Sequence, residues 1–339
     1  MSDVREVRVA GIDCGTNSIR LMVATVGERG MRVEVPRIMR VVRLGQDVDK
    51  THRFADDALE RTYRAIDEFA DVLREHPVDA LRFVATSATR DAQNREEFED
   101  EVEKRLGVRP DVIPGTEEAR LSFLGATSVL HTQFGDQLPP APYTVIDLGG
   151  GSTEMVIGGD GTDVSVDQVA AAFSMNIGSV RMSERHLLSD PPTRNEIDQA
   201  VADINEHIDE AFEKVPAWRT GTLIGVSGTV TTMTGIALGL REYDRDAVDG
   251  AVIGFADACS TCEKVLTMTR AERREYPVIH PGRIDVIGGG ALVWNCVLNR
   301  IGDAVRDHTR RVLNSYVTSE HGLLDGIVLD LGRRTLAAR

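Results

Sequence analysis

Ile12-Asp13-Cys14-Gly15-Thr16-Asn17-Ser18-Ile19-Arg20-Leu21-Met22-Val23 decides the fold of this 339-residue chain, because the stretch occurs twice. It returns as Ile146-Asp147-Leu148-Gly149-Gly150-Gly151-Ser152-Thr153-Glu154-Met155-Val156-Ile157. Both copies read I-D-x-G-x-x-S and run on into an apolar segment, the pattern of a strand, a tight turn and a second strand. A second echo follows in each half: Phe83-Val84-Ala85-Thr86-Ser87-Ala88-Thr89 and Leu223-Ile224-Gly225-Val226-Ser227-Gly228-Thr229. The two offsets are 134 and 140 residues, so order and spacing are both kept. One copy alone reads as an ordinary hairpin turn. Two pairs of copies in the same order mark an internal duplication.

The coarse pattern around these segments repeats as well. In the first half, strands are expected over 6–13, 18–26 and 31–42, a helix over 55–75, a strand over 81–86, a helix over 93–106, a strand over 108–113 and a helix over 117–130. The helix over 55–75 carries Leu59, Ile66, Phe69, Ala70 and Leu73 on one face. In the second half, strands are expected over 143–148, 153–158 and 164–173, a helix over 194–214, a strand over 222–226 and a helix over 230–240. A helical insertion around 257–297, a strand over 311–316 and a helix over 320–331 complete it. Each half reads βββαβαβα. That order in duplicate resembles the actin/hexokinase/Hsp70 superfamily. The resemblance implies an α/β fold of two ribonuclease-H-like domains with an active-site cleft between them. The expected domains are 1–126 and 127–324, with residues from about 325 to 339 as a candidate addition to the first. The loop over 131–142, with Gly135, Pro139, Pro140 and Pro142, introduces the second domain.

Composition limits the partners. Hydrophobic residues make up 42% of the chain, enough for two cores. No apolar run approaches the roughly 18 residues of a membrane span. The first ten residues lack the basic-then-apolar order of a signal peptide, so the cytoplasm is the expected location. The net charge of −15 disfavours nucleic acid and anionic membranes as partners. A polyanionic substrate would need a local basic pocket. The four cysteines are Cys14, Cys259, Cys262 and Cys296. Cys259 and Cys262 form a single CxxC inside an expected helix with no second pair, which reads as buried, inert thiols.

The motifs suggest phosphate chemistry. Gly15 permits a tight turn after a strand, and backbone N–H groups with the side chains of Thr16, Asn17 and Ser18 can then face an anion. Gly149, Gly150 and Gly151, followed by Ser152, allow still closer backbone approach. Asp13, Asp147 and Glu154 are candidate hard-oxygen ligands for a divalent metal; a turn-stabilising role is the alternative for the two aspartates. Arg20 aligns with Glu154, so one hairpin offers a cation where the other offers an anion. Glu117 and Glu118 open a helix, where acidic side chains suit the helix dipole; one of them is a candidate general base for water. Arg90 can reach a phosphate with its guanidinium fork. Ser87, and Ser227 with Gly228 and Thr229, stand between a strand and a helix, where they either cap the helix or bind an anion.

Taken together, these segments resemble the exopolyphosphatase/guanosine pentaphosphate phosphohydrolase (Ppx/GppA) family in its short two-domain form. The carriers are residues 13–21, 85–91, 115–121, 146–154, 226–229 and Pro281-Gly282-Arg283-Ile284-Asp285-Val286. The resemblance implies hydrolysis of the terminal phosphoanhydride of inorganic polyphosphate or of pppGpp, with release of orthophosphate. It implies Glu118 as the base, Asp147 and Glu154 at a Mg2+ site (Mn2+ as an alternative), and a homodimer. It places Asn17, Ser18, Arg20, Arg90, Gly149, Gly150, Gly151, Ser152, Ser227 and Gly228 at phosphate. Gly322-Leu323-Leu324-Asp325-Gly326 departs from the Gly-Leu-Arg-Glu-Gly of many relatives, losing an arginine where one would be expected to face the cleft. With a net charge of −15, short polyphosphate is the expected preference. Two rival readings stand beside this one. An ATP-dependent kinase of the same superfamily could use Ile287-Gly288-Gly289-Gly290-Ala291 as an adenosine loop, although a glycine-rich helix crossing explains that run equally well. A sensor of polyphosphate or (p)ppGpp would bind without turnover.

Overall fold

A computed structural model describes residues 5–28, 30–135, 137–159 and 169–339. The chain divides into two compact units, Met1–Gly125 with Leu323–Arg339, and Ala126–Gly322. The first contains β1 (Glu6–Cys14), β2 (Ser18–Gly27), β3 (Gly30–Val41), α1 (Val48–Thr51), α2 (Asp56–Glu75), β4 (Ala80–Ala85), α3 (Ser87–Asp91), α4 (Arg95–Leu106), β5 (Asp111–Val112) and α5 (Gly115–Thr127). Its sheet runs in the order β3-β2-β1-β4-β5. Residues 15–17 make a turn too short for anything but an antiparallel return, so β1 pairs antiparallel with β2. The path through α2 is long enough for a crossover, and β4 lies parallel to β1.

Both faces of β1 are covered, which is why this strand is almost continuously apolar. On one face Ile12, Leu21 and Phe83 meet Ile66 and Phe69 of α2 and Phe98 of α4. The buried stripe of α2 is Ala58, Thr62, Ala65, Ile66 and Phe69, a helical repeat centred slightly off the expected one; Leu59, Ala70 and Leu73 stay partly exposed. The other face is closed by α14 (Leu323–Ala337), whose Leu324 and Val328 pack on Val7, Val9, Met22 and Val26. The expected helix over 320–331 therefore starts later, runs longer and belongs to the first unit's core.

The second unit contains α6 (Leu130–Phe134), β6 (Tyr143–Leu148), β7 (Thr153–Gly158), β8 (Val169–Met175), α7 (Ser179–Arg185), α8 (Arg194–Lys214), β9 (Thr222–Val226), α9 (Ser227–Ala237), α10 (Arg245–Val248), β10 (Val252–Gly254), α11 (Phe255–Thr267), α12 (Arg270–Arg274), α13 (Ile287–Thr309) and β11 (Ser315–Thr318). The strand expected over 164–173 begins at residues 164–168, outside the described residues. The sheet order is β10-β11-β9-β6-β7-β8. Without β10 this repeats the first sheet strand for strand. β10 pairs antiparallel with β11 over three residues, too few to leave a periodic signal. The helix α8 has its expected bounds because Thr193 and Glu196 form a reciprocal capping box at its start. α13 runs on to Thr309, so β11 lies later than the expected 311–316. Trp294 of α13 stands edge-on to Tyr316 of β11 in the centre of this core. Among the described residues no helix is long and apolar enough to cross a membrane.

Candidate active site

The two copies of the I-D-x-G-x-x-S segment form the same hairpin. Gly15 N–H donates to the Ser18 carbonyl at 3.0 Å, and Gly149 N–H donates to the Ser152 carbonyl at 3.0 Å. In each, the carbonyls of the turn are taken from behind. Thr16 O accepts from Gly45 N–H at 2.8 Å, and Asn17 O accepts from Val42 and Arg43 at 3.0 and 2.9 Å. Gly149 O accepts from Ser179 at 3.0 Å, and Gly150 O accepts from Val180 and Arg181 at 2.9 and 3.1 Å. The Arg181 side chain donates to Gly151 O at 2.7 Å. With the carbonyls held on one side, the peptide planes turn their N–H groups to the other. The N–H groups of Thr16, Asn17, Gly150 and Gly151 have no acceptor among the described residues. Asn17 Oδ1 is also buried without a partner. Such an array suits an anion that accepts from several N–H groups at once.

The hairpins differ in charge at one cross-strand position. Asp13 pairs across the ladder with Arg20, whose Nη1 donates to Asp13 Oδ2 at 2.8 Å. Asp13 is only 2% exposed, and burial raises its pKa against the opposing pull of Arg20. Its carboxylate thus anchors a cation. In the second hairpin Asp147 faces Glu154, both buried, and Ser174 of β8 donates to Glu154 Oε1 at 2.7 Å. Two carboxylates directly opposite each other repel unless a cation lies between them. They are hard oxygen donors, and Mg2+ is commonly bound by one or two carboxylates with water and phosphate oxygens completing its shell, so this pair fits such an ion. Among the described residues no group of three or more His, Cys, Asp or Glu side chains converges to make a complete metal cage.

The paired glutamates at the start of α5 part company. Glu117 binds Arg120 through both oxygens, at 2.7 and 2.8 Å, and this hydrogen-bonded pairing lowers its pKa. It belongs to a network with Arg82, Arg334 and Asp330 that ties α5 and β4 to α14. Glu118 points elsewhere, as successive helical residues must. It is 6% exposed, and Oε2 accepts from Arg90 Nη1 at 2.8 Å. The same Nη1 donates to the Ile113 carbonyl at 2.9 Å, which fixes the guanidinium. Arg90, expected at phosphate, thus also holds the candidate base. Nearby on α3, Thr89 Oγ1 is buried without a partner.

Neither Thr86 nor Val226, the residues preceding α3 and α9, caps its helix with a side chain. Ser227 has φ +78°, a strained conformation for a residue with a Cβ. Arg283 lies against Gly228: its Nη1 donates to Gly228 O at 3.3 Å, and a Cβ on Gly228 would sit 2.1 Å from Nη2. Arg283 was legible only as part of the Pro-Gly-Arg run, with no role attached. Arg273, 4% exposed, secures the segment that carries it by donating to Val265 O, Leu266 O and Ile284 O. Thr229 turns inward and packs on Gly290 of α13, so of the three expected residues only Ser227 and Gly228 remain partly exposed.

The glycines of Ile287–Ala291 are buried inside α13, against Arg273, Ser179, Ser183 and Thr229. The run is a close helix crossing, which removes the feature that favoured a kinase. Leu324 is 3% exposed in the first unit's core, so the departure from Gly-Leu-Arg-Glu-Gly alters packing there and not an exposed face. Burial raises the thiol pKa values of Cys259 and Cys262, in keeping with inert thiols.

Comparison with known proteins agrees with this geometry. A sequence model of the Ppx/GppA phosphatase family matches residues 22–330. Exopolyphosphatase 2 of Mycobacterium tuberculosis (strain ATCC 25618 / H37Rv) is 42% identical over 332 residues, covering 96% of this chain and 98% of that protein. The crystal structure of an exopolyphosphatase-like protein superimposes with a TM-score of 0.94 at 67% identity, covering 98% of this chain and 99% of the other. The Aquifex aeolicus PPX-GPPA enzyme gives a TM-score of 0.76 at 27% identity, covering 96% and 100% of the two chains. Twin hairpins with their N–H groups turned outward, one with an arginine and one with a glutamate at the same register position, thus accompany a match across nearly the whole length, and the chain belongs to the Ppx/GppA phosphatase family.

Proposed function

We propose that this protein is an exopolyphosphatase, which hydrolyses the terminal phosphoanhydride of inorganic polyphosphate and releases orthophosphate. The observation that carries the reading is Glu118, a buried carboxylate gripped by Arg90 at 2.8 Å. A sensor has no use for a positioned base. Hydrolysis needs one, because water must lose a proton as it attacks phosphorus. The Arg90 guanidinium, itself fixed by the Ile113 carbonyl, holds this carboxylate in one place.

In this reading Glu118 orients water and accepts its proton. The N–H groups of Thr16 and Asn17, with Ser18 and Arg20, hold phosphate oxygens. So do Gly150, Gly151 and Ser152, and also Ser227 and Gly228 with Arg283. Such donors lower the barrier when they are already aimed at the charge that develops on the transferred group. Asp13 orients Arg20 through the 2.8 Å bond between them, the alternative to a metal-ligand role for this carboxylate. Asp147 and Glu154 would hold Mg2+, or Mn2+ in its place. The ion, when bound, neutralises charge on the phosphoryl oxygens. A cytoplasmic homodimer acting on short chains completes the proposal, and it rests on the family resemblance and the net charge of −15.

Release of phosphate from short polyphosphate, long polyphosphate, pppGpp and ATP, compared at equal phosphoanhydride concentration, tests it. Short polyphosphate is expected to be hydrolysed fastest. A clear preference for pppGpp would move the assignment to the other activity named in the family. Phosphate transfer from ATP to a small molecule, without hydrolysis of polyphosphate, would overturn it.

A further inference from the structure

Gly45 and Gly178 occupy equivalent places, each just after the third strand of its unit, β3 or β8, and each against the phosphate hairpin of that unit. Both follow a fully buried aliphatic residue, Leu44 or Ile177. Neither has a positive φ; Gly178 is extended, at φ −160° and ψ 169°, a conformation open to any residue. Their glycine character therefore comes from contact. A Cβ on Gly45 would lie 2.2 Å from Thr16 Cγ2 and 3.1 Å from Ala88 Cβ. A Cβ on Gly178 would lie 2.5 Å from Gly150 O and 2.8 Å from Gly151 N. Real Cβ atoms do not approach so closely, so a larger residue at Gly178 must displace hairpin backbone, and one at Gly45 must displace the Thr16 side chain or the turn that carries it.

We infer that Gly45 and Gly178 are positioning residues: by letting the following segment press on the back of each hairpin, they hold its carbonyls rearward and its N–H groups toward phosphate. The bonds that do the holding come from these same segments, Gly45 N–H to Thr16 O at 2.8 Å and Ser179 N–H to Gly149 O at 3.0 Å. The duplication kept this brace in both halves although the sequences around it differ. The inference rests on the reading of the hairpins as phosphate binders.

Gly45 offers the sharper test because its clash is mainly with a removable methyl group. Gly45→Ala should raise KM for tripolyphosphate about tenfold to a hundredfold, the scale of losing one or two hydrogen bonds to a charged group, with kcat much less affected. Adding Thr16→Ser removes Cγ2 and keeps the hydroxyl. The double variant should return KM to within about threefold of Thr16→Ser alone. Gly178→Ala meets backbone and has no such rescue. Gly332→Ala, which crowds Val26 inside the first unit, controls for plain destabilisation; its melting temperature should drop while KM stays put. A folded Gly45→Ala protein with a KM within threefold of wild type, or a double variant as impaired as Gly45→Ala, would overturn the inference. A backbone amide NMR titration with tripolyphosphate separates it from the functional reading. If the wild type hydrolyses neither polyphosphate nor pppGpp, the functional reading fails. The brace inference then still stands if the amides of Thr16, Asn17, Gly150 and Gly151 shift on titration and those of Thr16 and Asn17 stop shifting in Gly45→Ala. It falls if they do not shift in the wild type.

Discussion

Replacing Glu118 with glutamine separates chemistry from structure with a single nitrogen. Glu118 is 6% exposed and accepts from Arg90 at 2.8 Å, so truncation to alanine would also leave that guanidinium short of an acceptor. Glutamine retains the size and an amide oxygen for Arg90, and it loses the capacity to take a proton from water. General base catalysis contributes about 10²–10⁴ in rate, so kcat for short polyphosphate should fall by that factor, roughly 3–5 kcal/mol on the barrier. KM should move by less than about fivefold, because Glu118 acts on water more than on bound phosphate. Glu117→Gln is the paired control. That residue sits one position away and binds Arg120 on another side of α5. Its kcat should remain within about threefold of wild type. Initial rates of orthophosphate release with saturating Mg2+, alongside thermal melts of all three proteins, make the measurement. Turnover of Glu118→Gln within tenfold of wild type at an unchanged melting temperature would refute the base assignment. Equal losses in both variants would show that the start of α5, and not the Glu118 carboxylate, is what matters.

Asp13→Ala removes the counterion of Arg20 from a site that is 2% exposed; breaking a buried pair costs on the order of 3 kcal/mol, readable as a lowered urea midpoint, and Asp13→Asn should lose less. Glu154→Gln should raise the Mg2+ concentration for half-maximal turnover at least about tenfold, and an unchanged Mg2+ titration would exclude it as a ligand. The Glu117 network should make stability pH-dependent. Its carboxyl has a lowered folded pKa, so the contribution is complete above the ordinary carboxylate range and fades as pH falls through the folded value. Glu117→Gln should therefore flatten the acid limb of the stability curve and leave the alkaline side parallel to wild type.

Much of the site is legible in the sequence because hairpins are local. An aspartate, a glycine, a serine and a residue seven positions on from the aspartate are enough to place Asp13 opposite Arg20 and Asp147 opposite Glu154, since an antiparallel turn of known length leaves one register. The start of α8 is fixed just as locally, by the capping box of Thr193 and Glu196. Features that depend on distant chain leave no such local mark. A three-residue edge strand has no period, so β10 passed unseen. The C-terminal helix is legible only as a candidate addition to the first domain, and it is the packing on Val7, Met22 and Val26 that joins it there. The third echo, Leu44-Gly45 and Ile177-Gly178, was present in the sequence at almost the hairpin's own offset, but a two-residue match is too short to stand out.

The sequence by itself determined the duplication, the two hairpins and the opposite charges they carry, because those follow from covalent neighbours and the alternation of a strand. Tertiary structure decided which of two adjacent glutamates meets Arg90, that Thr229 turns inward, that Arg283 lies on Gly228, and that the backs of both hairpins are braced. These choices rest on contacts between segments about 30 to 60 residues apart, and side chains reach such partners only once the sheets have brought their segments together.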